Sequence, residues 1–114
     1  EKKIKVRVNM KTPEKVVGGV LDGNSISKVI KRRQSQIQRC YEREIKKNPK
    51  AAGKVIVNFT IGTAGRVTKS KATTDSVGGG VGTCVAKQIE RMKFERPKGG
   101  AAHVKKTFVF EAAK

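Results

Sequence analysis

Between Lys54 and Ile61 the side chains alternate: Val55, Val57, Phe59 and Ile61 fall on one face, and Ile56, Asn58 and Thr60 on the other. A period of two is the spacing of a strand buried on one side. Four large apolar groups on a single face also demand a covering layer. Gly62-Thr63-Ala64-Gly65 then supplies a four-residue loop, and Arg66 to Thr73 returns as a more polar strand anchored by Val67. The two segments are expected to form an antiparallel hairpin.

The cover is written on either side of this hairpin. Ile26, Val29, Ile30, Ile37, Cys40, Tyr41 and Ile45 recur at helical spacing and make one apolar stripe, with Lys28, Lys31, Arg32, Arg39, Arg43, Lys46 and Lys47 opposite. Asp22, Asn24 or Ser25 can cap this helix, and Asn48-Pro49 ends it, because proline disfavours helical geometry in the residue before it. Beyond the glycines at 78 to 80 and 82, Val81, Cys84, Val85, Ile89 and Met92 mark a second, shorter helix. Ile4, Val6, Val8 and Met10 alternate as a short first strand, and Lys11 to Gly19 reads as a connector because of Pro13 and Gly18-Gly19. Val104 to Phe110 closes the chain as a strand with Val104, Phe108 and Phe110 on one face. The order strand, helix, strand, strand, helix, strand predicts an α+β two-layer sandwich: an antiparallel sheet of three to four strands with two helices on one face.

A chain of 114 residues suits one core. It opens at Glu1, has no apolar stretch longer than Val16 to Leu21, and is read as a piece of a longer protein whose targeting signal or anchor lies upstream. Lys and Arg number 27 against nine Asp and Glu, a net charge of +18. Such an excess points to an anionic partner such as nucleic acid, a membrane headgroup surface, an envelope polymer or an acidic protein, or else to a solvated surface, and it says nothing about fold.

The chemistry-bearing residues are few. His103 is the single histidine, with no Ser, Cys or carboxylate pattern beside it, so the chain is read as a non-enzyme with no cofactor. Two cysteines and one histidine do not make a zinc site, so no metal is expected. Cys40 and Cys84 lie on the apolar stripes of two adjacent helices, which favours a disulfide between them over two buried thiols. The strand and helix order also suits an RNA-recognition module, but Phe59 shares the apolar face of its strand instead of the solvent face, and the glycine-aromatic signature is missing. Nucleic acid is therefore disfavoured as a partner.

Leu21, Ile26, Val29-Ile30, Gln36-Ile37, Arg39-Cys40-Tyr41-Glu42, Asn48-Pro49, Gly53-Lys54-Val55, Phe59-Thr60-Ile61-Gly62 and Gly65-Arg66-Val67 together resemble the TonB-like C-terminal domain of the AgmX/PglI type, found in envelope-spanning gliding-motility proteins. Cys84-Val85, Ile89, Phe94, Pro97, Gly99-Gly100 and Phe108-Val109-Phe110 continue the match, which covers about residues 18 to 111. The chain accordingly divides into an N-terminal strand and connector, 1–17, and a TonB-like domain, 18–114. The resemblance implies a periplasmic domain of an inner-membrane-anchored protein, coupling an energised motor to periplasmic segments of outer-membrane proteins. It also favours the disulfide, since that compartment is oxidising. TonB-like domains are similar in adding a partner's extended peptide to the sheet as a strand. Val104, Lys105, Lys106, Thr107, Phe108, Val109 and Phe110 are the expected partner edge, with Lys105 and Lys106 guarding it. Residues Ile4 to Met10 are expected to occupy an edge in the free domain, so that deleting 1–12 strengthens partner binding. The alternatives are a basic nucleic-acid module and a structural domain that binds peptidoglycan or anionic lipid.

Overall fold

A computed structural model describes residues 15–111. Within them the chain runs β1 (Lys15–Val20), α1 (Gly23–Arg32), α2 (Gln34–Lys47), β2 (Gly53–Ile61), β3 (Val67–Asp75), α3 (Val81–Glu90) and β4 (Lys98–Phe110). The four strands make one antiparallel sheet in the order β1-β4-β2-β3. The fold is an α+β two-layer sandwich. Val55, Val57, Phe59 and Ile61 of β2 and Ala102, Val104, Phe108 and Phe110 of β4 turn inward and bury against Ile26, Ile30, Ile37, Tyr41, Val85 and Ile89 of the helices. Each valine, isoleucine or phenylalanine among them contributes about 1.5–3 kcal/mol by leaving water.

The helix expected to run unbroken from Ile26 to Lys47 is two helices. Arg33 leaves helical geometry at φ −106°, ψ 16°, and its N–H closes α1 on the Ile30 carbonyl. The apolar stripe jumps here from Ile30 to Ile37 across Lys31, Arg32 and Arg33. No apolar contact therefore holds the chain to one helical axis at this point. Three helices result, on the sheet face where two were expected. Asp22 is the residue that caps α1, its side chain accepting from the Asn24 N–H at 3.0 Å.

The first expected strand, Ile4 to Met10, lies outside the described residues. The stretch read as a connector contains β1 instead, and β1 runs across the boundary drawn between residues 17 and 18. Its Gly18-Gly19 pair does not break the strand. It lets two backbones meet, since a Cβ on Gly19 would sit 2.0 Å from the Gly100 carbonyl oxygen and one on Gly18 2.6 Å from that of Ala101. The pairing to β4 carries a bulge there, between Gly18 and Val20. On the facing strand Gly99 and Gly100 adopt φ 79° and 118°, so β4 begins at Lys98, six residues before the expected start at Val104.

Candidate functional site

The two cysteines meet as expected. Cys40 in α2 and Cys84 in α3 form a disulfide with Cα atoms 5.6 Å apart, tying the two helices above the sheet. Cys40 is buried and Cys84 half-buried.

The expected partner edge lies inside the sheet only at its start. Val104 and Lys105 are flanked on both sides, by Val16 and Lys15 of β1 and by Phe59 and Asn58 of β2. Lys106 to Phe110 pair with Val57 to Gly53, and β1 begins opposite Lys105, so no described strand lies along their other side. The guarding role given to Lys105 and Lys106 also divides. Lys105 is exposed, but Lys106 is 1% exposed and points into the helix-side core, its Nζ 5.9 Å from the Phe108 ring centroid. The electron-rich face of an aromatic ring attracts an ammonium and helps a buried one. Thr107 and Val109 look outward, and Phe108 and Phe110 inward.

The outermost described strands are β1 and β3, and their surfaces differ. β3 carries two register shifts against β2, at Ile56/Val57 and at Thr60/Ile61, and exposes Lys69 and Lys71. Bulges and lysines are devices that blunt an edge against pairing. β1 instead exposes Val17 (48%) and Val20 (72%), which with Val109 are the exposed large apolar side chains of the described residues. Between the two valines, Gly18 and Gly19 leave the main chain without side chains. The sequence signal for this edge was present in Val16-Val17, but the glycine pair hid it.

A second surface was not anticipated: the sheet face turned away from the helices. Across it, Lys71 of β3, Asn58 of β2 and Lys105 of β4 stand in one cross-strand row, and Lys69, Thr60, His103 and Val17 in the next. These rows line a shallow trough of about 550 Å³. Its floor is hydrogen-bonded, with Thr60 Oγ1 3.0 Å from His103 Nδ1, and Asn58 Nδ2 donating to Thr73 Oγ1 at 2.8 Å. His103 thus sits in a polar sheet surface beside a threonine. The polar positions of the strand pattern carried this signal, since Lys69 and Lys71 alternate in phase.

Among the described residues no cluster of three or more His, Cys, Asp or Glu could hold a metal ion, and no helix is long and apolar enough to cross a membrane. No family model, curated protein or solved structure matches the chain.

Proposed function

We propose that the chain is a non-catalytic periplasmic interaction domain of a trans-envelope machine, of the gliding-motility or TonB-like energy-transducing kind. It couples an inner-membrane motor to outer-membrane proteins by adding a segment of the partner to its sheet. The observation that carries this reading is β1, outermost with β3 among the described strands, which exposes Val17 and Val20. An edge strand offers unpaired N–H and C=O groups, and a guest strand satisfies them while its side chains cover the valines. The receiving edge is taken to be β1, since Val104 and Lys105 of the expected edge are flanked on both sides, while Lys106 to Phe110 pair with β2 alone among the described strands. The Cys40–Cys84 disulfide supports an oxidising compartment, where such bonds persist. The resemblance to TonB-like domains supports the same assignment.

Chemical-shift mapping with extended peptides from periplasmic segments of outer-membrane proteins tests the reading. Perturbed amides should concentrate at Lys15–Val20, and a Val17→Lys/Val20→Lys variant should bind at least about ten-fold more weakly, the loss expected from removing two apolar contacts. Binding that leaves β1 unperturbed, or that survives both substitutions, removes it. A nucleic-acid reading has less to rest on, because the chain's four Phe and one Tyr are all buried in the core and none offers a ring for base stacking.

A further inference from the structure

We infer that the open sheet face is a second binding site, which takes a run of consecutive acidic residues in an extended polypeptide. The inference is independent of strand addition at β1, since it uses side chains of β2, β3 and β4 and no main-chain pairing. The trough has lysines on both sides, and a neutral polar imidazole beside one of them. Lys69 and Lys71 stand along β3, while Lys105 and His103 stand along β4, with Thr60 and Asn58 of β2 between them. No carboxylate lines it.

Spacing decides the shape of the ligand. Lys71 and Lys105 lie two strands apart, which puts their Cα atoms about 10 Å from each other, and Lys69 and Lys71 are separated by about 7 Å along their strand. An extended peptide lying over β2 sends successive side chains to opposite sides, about 3.4 Å apart along the chain. Three consecutive carboxylates therefore reach Lys71, Lys105 and Lys69 in turn. A peptide carrying an acid only at every second residue can satisfy just one wall. The floor is already ordered: Asn58 spends one amide N–H on Thr73, and Thr60 is held to His103, which leaves the second Asn58 N–H and the other imidazole nitrogen for the peptide.

Charge alone does not choose between polyanions, but the aromatic inventory does. Bases of a single strand bind proteins by stacking on rings. All five Phe and Tyr rings of this chain are buried on the helix side of the sheet, with Phe59 and Phe94 stacked on each other at 5.6 Å, and the one ring in the trough, the His103 imidazole, is tied at its edge to Thr60.

The experiment uses the chain with three probes of equal charge: a peptide with consecutive glutamates, a peptide alternating glutamate with glycine, and an oligothymidylate. A phosphatidylglycerol vesicle is the fourth probe. The consecutive peptide should bind most tightly, shift the amides of Asn58, Thr60 and His103, and lose roughly ten-fold in affinity in a Lys71→Glu/Lys105→Glu variant, as expected for two exposed ion pairs turned repulsive. A version of this peptide with N-methylated main-chain nitrogens should bind equally well, which separates the site from strand addition at β1. Equal binding of the alternating peptide, equal or tighter binding of the oligothymidylate or vesicle, or an unchanged affinity in the variant overturns the inference. Both substituted lysines are exposed, so the variant is expected to fold, and its dispersed amide spectrum confirms that.

Discussion

Tyr41 donates its hydroxyl to the Ala51 carbonyl from inside the core, and its ring centroid lies 5.2 Å from that of Phe110. Burial, reinforced by the nearby charge of Glu111, holds the phenol above its ordinary pKa of 10.0. Ionisation is then easier in the unfolded chain than in the folded one. The stabilisation is complete below the unfolded value and is lost as pH rises through the folded one. Tyr41→Phe should remove this alkaline loss and cost about 1 kcal/mol at neutral pH for the missing hydrogen bond, so urea unfolding of both proteins between about pH 7 and 11 reads the two effects. Asp75 plays a different part. Its Oδ1 accepts from the N–H groups of Val77 and Gly78 at 3.1 and 3.0 Å, and its Oδ2 from Gly82 in the first turn of α3 at 2.8 Å. Gly80, at the N-cap position, has no side chain to do this. Asp75→Ala should cost about 2–3 kcal/mol in chemical denaturation, the range for hydrogen bonds to a charged acceptor. At this scale the sequence was more legible than it was read. Val104, Phe108 and Phe110 share even numbering with Lys106, so the period of two already put that lysine on the buried face.

At the scale of elements, legibility followed apolar period. β2 was read from Lys54 to Ile61 and spans Gly53–Ile61, because alternation of large side chains is a local signal. β1 escaped because two of its six residues are glycines, and their reason for being there is a backbone in another part of the chain. Gly19→Ala tests that reason: the new methyl meets the Gly100 carbonyl oxygen and should destabilise by about 1–3 kcal/mol, with β1 amides exchanging faster than those of β2. The break at Arg33 was visible as the seven-residue step between Ile30 and Ile37, a spacing that also suits an unbroken helix and so did not decide the matter. The contrast between the two outer strands is likewise an element-level property. Bulges depend on the register of β3 against β2, which no segment of sequence carries by itself.

For the whole molecule, strand order was the least legible feature. Alternation says that a face is buried and not which strand lies beside it, so it does not show that Val104 and Lys105 lie between β1 and β2 while Lys106 to Phe110 pair with β2 alone among the described strands. The layered class followed from the element order, because an apolar sheet face and apolar helix stripes have few ways to cover each other. The disulfide was legible for the same reason, since both cysteines lay on stripes facing one core. Replacing both, Cys40→Ala/Cys84→Ala, should lower the unfolding free energy by about 4 kcal/mol in the chain-entropy account, measured against the oxidised parent in urea.

That bond encloses β2 and β3 but leaves β1 and β4 outside its loop. A tether pulled from both ends of the oxidised chain can therefore pay out only the residues flanking the loop. Force spectroscopy with added reductant should show a further lengthening of about 150 Å, from the 44-residue separation of the cysteines at roughly 3.4 Å per residue. Under the proposed role in transmitting tension, the sulfur bridge would keep the load off the residues it encloses, so that β1 can slip while the hairpin of β2 and β3 stays closed.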